Sequence, residues 1–148
     1  MEQRSDEIGY DAEVITAIRN QDIGTLRKMH QAGRSLQCSN RFGESLLHMA
    51  CRRGFVEVVD FLLHEAGVSI RIRDDYGRTP LHDACWTAEP NFQLMEMLVQ
   101  EAPQLLWVRD KRNDPPLNYV RREHWPDWTT FLKTQKTNIM RAIADATP

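Results

Sequence analysis

Apolar positions in this chain fall into short helical stripes separated by polar turns. Val14, Ile15, Ala17 and Ile18 form the first stripe, with Asp11 placed to cap it. Asn20-Gln21-Asp22 interrupts it. Ile23, Leu26 and Met29 then form a second stripe at three-residue spacing, ended by Gly33. A turn over Asn40–Glu44 leads to a helix predicted from Ser45 to Arg52. Gly54 permits a sharp reversal into an outer helix carrying Val56, Val58, Val59, Leu62 and Leu63, which Gly67 closes. Val68, Ile70 and Ile72 alternate with polar residues, the pattern of an extended connector or a hairpin finger. The next pair has an inner helix ending near Thr87 and an outer one with Phe92, Met95, Leu98 and Val99, stopped at Ala102-Pro103. Trp125, Trp128, Phe131 and Leu132 form a late stripe. A final helix runs toward Ala144, with Gln135, Lys136, Asn138 and Arg141 expected on its wet face.

The stripes recur at a fixed offset. Gly43 and Gly77, His48 and His82, Ala50 and Ala84, and Cys51 and Cys85 are all thirty-four residues apart, and Ala17 precedes Ala50 by thirty-three. A period of this length means stacked helical units, each too small to bury its own apolar face. The best-formed unit reads Asp75-Tyr76-Gly77-Arg78-Thr79-Pro80-Leu81-His82-Asp83-Ala84-Cys85. Asp-Tyr-Gly suits a tight turn. Thr79 is placed to cap the following helix, and Pro80 takes the first helical position, where a missing N–H costs nothing. Leu81 and Ala84 lie on one face, and the small alanine lets helices approach closely.

The run Thr79-Pro80-Leu81-His82-Asp83-Ala84 resembles the ankyrin repeat over roughly residues 11–133. That resemblance implies an all-α ankyrin-repeat solenoid of paired antiparallel helices with short hairpin fingers. It implies about four repeats, near 11–39, 40–73, 74–109 and 110–133, followed by a helical extension over 134–146. Residues 1–10 read as a polar lead-in to a single domain covering 11–148. The first unit has lost its finger and its Thr-Pro-Leu-His run. In the second, Ser45-Leu46 stands for Thr-Pro. Two residues are inserted at the Ala88–Asn91 turn of the third. In the fourth, Asn113 replaces the glycine and Pro115-Pro116-Leu117-Asn118 replaces the signature, so its histidine is gone. Divergent end units are what a stack needs, since each lacks a neighbour on one side.

Composition narrows the function. A chain of 148 residues with 41% hydrophobic content and net charge -2 is a folded domain, and nothing in that balance marks a nucleic-acid binder. There is no run of about 18 apolar residues, hence no expected membrane span. The polar start lacks a signal core, and Glu2 after Met1 excludes myristoylation. Three cysteines, Cys38, Cys51 and Cys85, suit free thiols in a reducing intracellular setting, cytoplasm or nucleus.

Catalytic and metal chemistry find little support. His48-x-x-Cys51 and His82-x-x-Cys85 each place an imidazole and a thiol on one helix face, a spacing zinc can use. Within the resemblance, that histidine instead bonds backbone in the next finger and the cysteine fills a small core position. A cysteine nucleophile needs an orienting group and an oxyanion loop, and no glycine-rich loop follows Cys85. No paired carboxylates across a cleft and no phosphate-binding glycine fingerprint are found. No catalytic residue, metal site or cofactor is expected.

The resemblance points instead to finger tips and the concave face of the inner helices as a protein-binding surface. Carried onto this chain, the candidates are Arg41, Phe42, Arg52 and Arg53 in the second unit, and Arg73, Tyr76, Arg78 and Trp86 in the third. Lys111, Arg112 and Arg122 come from the fourth. With their neighbours Glu44, Asp75, Thr87, Arg109, Asp114 and Glu123 the set holds nine basic side chains against four acidic, so the remainder of the molecule is acidic. Fifteen of the nineteen basic residues are arginine, suited to bidentate and stacked contacts. Aromatics flanked by arginine are what interface centres are built from. The expected function is a non-catalytic adaptor or regulatory subunit, monomeric alone, binding a protein with an acidic or acidic–aromatic surface. The alternative is nucleic acid or a phosphorylated ligand on the arginine-rich side. Trp86 has a competing role as packing beneath the Ala88–Phe92 insertion, and Arg52-Arg53 and Arg121-Arg122 as an ordinary solvated face. Trp125 and Trp128 are expected to close the end of the core.

Overall fold

The computed structural model describes residues 7–146, so most of the predicted lead-in lies outside the described residues. Among these residues the chain is helical and forms no paired strands. Eight α-helices follow one another: α1 (Ala12–Arg19), α2 (Ile23–Gln31), α3 (Leu46–Arg53), α4 (Val56–Asp60), α5 (Pro80–Cys85), α6 (Phe92–Glu101), α7 (Trp125–Thr134) and α8 (Lys136–Ala146). A π-helical turn, Phe61–Glu65, continues α4. Three 3-10 turns, Pro103–Trp107, Pro116–Tyr119 and Arg122–His124, fill the stretch around the last unit.

Local sequence explains the helix boundaries. Asp11 and Asp22 accept from Val14 N and Thr25 N at the starts of α1 and α2. Ser45 and Thr79 cap α3 and α5, and in each the histidine three residues later returns the bond to the capping N–H. Gly54 ends α3 in the left-handed region at φ 71°. Asn91 caps α6 and also donates from Nδ2 to Gly54 O at 3.1 Å, so the inserted loop is tied to the unit before it.

The fingers are tight hairpin turns without paired strands: the N–H groups of Asn40, Asp74 and Asp110 each donate to the carbonyl four residues on. The Val68–Arg73 stretch, expected as a hairpin finger or an extended connector, joins the π-helical turn to the next finger without strand pairing, and the one pairing among the described residues is an isolated bridge between Ser39 and Ser45. Each finger is closed by its own first residue. Asn40, Asp74 and Asp110 accept with a side-chain oxygen from the N–H groups two and four residues on, at 2.9–3.0 Å. Successive fingers then stack through backbone: Asp75 N donates to Phe42 O, and Lys111 N to Tyr76 O, both at 2.9 Å. Backbone satisfied by turn and neighbour leaves nothing for a ladder. The stacking also fixes Gly43. A Cβ there would lie 2.9 Å from Asp75 Oδ1 and 3.0 Å from Asp75 N, and φ is +76°.

The core is continuous along the stack. Val14, Ile18, Leu26, Leu46, Leu47, Leu62, Leu81, Met95 and Leu98 are fully buried. Ala50 and Ala84, with Cys51 and Cys85, let α3 and α5 pack side by side. Trp128 and Phe131 of α7 close the far end, with Phe92 5.2 Å from Phe131 and 5.3 Å from Trp128 between ring centroids. Trp125 is different: it is 51% exposed, with the Arg122 guanidinium 5.2 Å from its ring, so only one of the two predicted end-cap tryptophans reaches the core. Gln135, expected to be wet, is buried because it marks the break between α7 and α8, where it accepts from Asn138 Nδ2.

Candidate functional site

The second and third residues of each finger turn form its tip, all exposed except Asp75, which is half-buried with its carboxylate toward Gly43. Arg41 and Phe42, Asp75 and Tyr76, and Lys111 and Arg112 occupy the three tips. Beside them stand residues of the inner helices: Arg52 and Arg53 at the end of α3, and Trp86 at the C-cap of α5.

Three of the predicted residues meet in one cluster. The Arg78 guanidinium carbon lies 4.6 Å from the Tyr76 ring centre and 5.6 Å from that of Trp86. Tyr76 and Trp86 stay open to water, 53% and 47% exposed, while the Arg78 side chain is 19% exposed. Arg78 is thus the floor between two rings, held also by Asp74 at 3.3 Å. Its Nε makes no hydrogen bond. Trp86 leans toward Tyr119, ring centres 6.1 Å apart, and the inserted loop follows it in the chain. That loop is fastened elsewhere, through Ala88 O to the His124 ring at 3.0 Å.

Tyr119, not among the residues predicted from sequence, adjoins this cluster. It extends the aromatic surface into the last unit, and its hydroxyl donates to Asp110 Oδ2 at the foot of that finger. Burial, then that hydrogen bond, push its pKa up to about 12. The signal was present as spacing: Tyr119 follows Asp83 by thirty-six residues, the same offset as Asp110 from Asp74.

The other basic candidates divide by partner. Arg52 donates to Glu44 at 2.6 Å and lies 3.6 Å from Asp83. Arg41 stacks on its neighbour Phe42 at 4.8 Å. Arg53, Arg73, Lys111 and Arg112 are exposed and form no ion pair among the described residues. Arg122 stacks on Trp125, away from the Tyr76–Trp86 cluster.

His48 and His82 serve the stack. Nε2 of His48 faces Arg78 O at 2.8 Å, and Nε2 of His82 faces Asp114 O at 2.9 Å. A carbonyl only accepts, so Nε2 carries the proton and Nδ1 accepts from the capping residue, Ser45 N at 3.2 Å and Thr79 N at 3.1 Å. Burial holds both imidazoles neutral by lowering their pKa. Both nitrogens of each ring are engaged, and burial raises the Cys51 and Cys85 thiols well above their usual range. The two histidines tie one unit to the next and the two cysteines fill small core positions, the roles that the resemblance implied.

A family model of ankyrin repeats, in three copies, matches residues 14–110. The chain belongs to the ankyrin-repeat family. No curated protein matches it. Ankyrin repeats are generally protein–protein interaction modules and typically non-catalytic. The matched span ends at Asp110, yet the turn that begins there repeats the two ankyrin fingers before it. Asp110 Oδ1 organises the turn, Asn113 takes φ 68° where they have glycine, and His82 reaches forward to it as His48 does to the finger at Asp74. The inner helix then fails to form. Pro115 offers no side-chain cap, and Pro116–Tyr119 makes a single 3-10 turn. No helix among the described residues is long and apolar enough to cross a membrane.

Proposed function

We propose that this ankyrin-repeat chain is a non-catalytic adaptor or regulatory subunit that grips a partner protein along its finger tips and concave inner-helix face. The observation that carries the reading is the Tyr76–Arg78–Trp86 cradle, two exposed rings over a shielded guanidinium, prolonged by Tyr119. Large rings already held in place bind with little further loss of side-chain entropy. Around them Arg41, Arg53, Arg73, Lys111 and Arg112 supply exposed positive charge. The fitting partner is an acidic segment with aromatic or apolar anchors. Its carboxylates meet the exposed arginines and its anchors pack on Tyr76 and Trp86. A standard interface of roughly 1,600 Å² on so short a stack requires fingers and inner helices together. Arg52 and Arg78 act as scaffold in this arrangement, since each is already committed to its own carboxylates.

The test is capture of partners by the intact protein and by the Tyr76→Ala, Trp86→Ala double variant, with bound proteins identified by mass spectrometry. The double variant is expected to lose a specific subset of bound proteins while keeping its helical circular dichroism. An unchanged set removes the proposed surface. Binding that yields no protein and falls steeply with salt assigns the face to nucleic acid or a phosphorylated ligand.

A further inference from the structure

We propose that the groove between α7 and α8 is a second docking site, and that its occupant is a partner helix with an apolar stripe flanked by acidic residues. It draws on none of the residues of the concave-face reading, so the two stand or fall separately.

The argument begins with how α8 is turned. Asn138, Arg141, Ala142 and Asp145 share one face, and this mostly polar face meets Gln100, Pro103 and Gln104 across a cleft. Of the larger apolar side chains of the helix, Ile139 is half-buried against the core, and Met140 and Ile143 are exposed. Ile139 and Met140 line a groove with Leu132 of α7, and Thr129, Lys133 and Lys136 complete the walls. The groove has a volume of about 310 Å³. Met140 is 55% exposed, and Ile143, one turn further along, is exposed beside it. An amphipathic helix usually spends its apolar stripe on its own core. Here part of that stripe is left to the outside.

Charge selects the occupant. Lys133 and Lys136 stand exposed at the groove and form no ion pair among the described residues. Apolar walls take an apolar anchor, and the two ammonium groups take carboxylates beside it. A second copy of this chain brings the same two lysines to the same place, setting like charges against each other. A flat bilayer does not follow a furrow between two helices, and two cations give it little hold. A helix with anchors at i, i+3 or i+4, and i+7 matches both the furrow and its charges.

The experiment is selection of a displayed library of helical peptides on the intact protein, with Met140→Asp as the counter-target. Enriched peptides are expected to carry an apolar stripe with Asp or Glu beside it, and to bind at least tenfold more weakly to Met140→Asp. The Lys133→Glu, Lys136→Glu double variant is expected to enrich Lys- or Arg-flanked stripes instead. Both variants change exposed positions, and an unchanged thermal melt certifies their fold. No enrichment over the counter-target, or enriched sequences whose charge ignores the lysine reversal, overturns the proposal. Concentration-dependent self-association abolished by Met140→Asp, or binding to anionic vesicles in place of peptides, overturns it as well.

Discussion

Asp83 is a carboxylate in the concave floor, 4% exposed, with Arg52 Nε 3.6 Å from it. Burial pushes its pKa up to about 7, and Arg52 only partly opposes this. The folded protein therefore holds a proton between about pH 4 and 7 that the unfolded chain has released. With the folded pKa above the unfolded one, stability is greatest at the acid end of that window and declines as pH rises through it. Replacing Asp83 by Asn is expected to abolish that decline and to raise the denaturation midpoint at pH 8. Urea titrations of both proteins at pH 5 and pH 8 check it. A slope that survives in Asp83→Asn locates the titrating group elsewhere. The side chain of Asp83 is buried although it carries a carboxyl group. Its burial depends on what α3 lays over it, which its own flanking residues do not encode.

At the scale of elements, the units are joined by three kinds of contact: apolar packing, finger-to-finger backbone bonds and the two histidines. His82 touches both ends of its task, since it completes the cap of α5 and reaches Asp114 O in the next finger. His82→Ala takes the partner from the part-buried Asp114 carbonyl and the buried Thr79 N–H, and opens a cavity. The expected cost is about 3 kcal/mol. Amide exchange is expected to speed up most in the turn at Asp110–Asp114, and uniform acceleration would deny the histidine a role as a tie. The elements themselves were legible from short-range sequence. Asp11, Ser45, Thr79 and Gly54 mark helix ends because caps and left-handed turns depend on atoms within four residues. Whether Val68–Arg73 pairs or only connects was not legible, for the opposite reason. Val68, Ile70 and Ile72 alternate, but a ladder needs a paired strand, and the neighbouring backbone is already committed to turns.

For the whole molecule, the open end of the stack is the weak point. Phe92, Trp128 and Phe131 cover it as one aromatic group. Trp128→Ala is expected to cost about 3–5 kcal/mol, while Trp125→Ala, at an exposed ring, is expected to stay within about 1 kcal/mol. Denaturant midpoints of the two variants decide it, and equal losses would mean that Trp125 also belongs to the cap.

The thirty-four-residue echo, the turn–cap–proline chemistry and the small residues between inner helices follow from the chain's own order, because each rests on near neighbours or on repetition. Which arginines stand exposed, which tryptophan is covered and which face α8 turns outward came only from tertiary packing. Arg52 and Arg53 are adjacent in sequence and both exposed, yet Arg52 is paired with Glu44 and lies 3.6 Å from Asp83, while Arg53 forms no ion pair among the described residues. Asp83 reaches Arg52 only because α5 packs beside α3, and no local pattern records the arrival of a group from another unit.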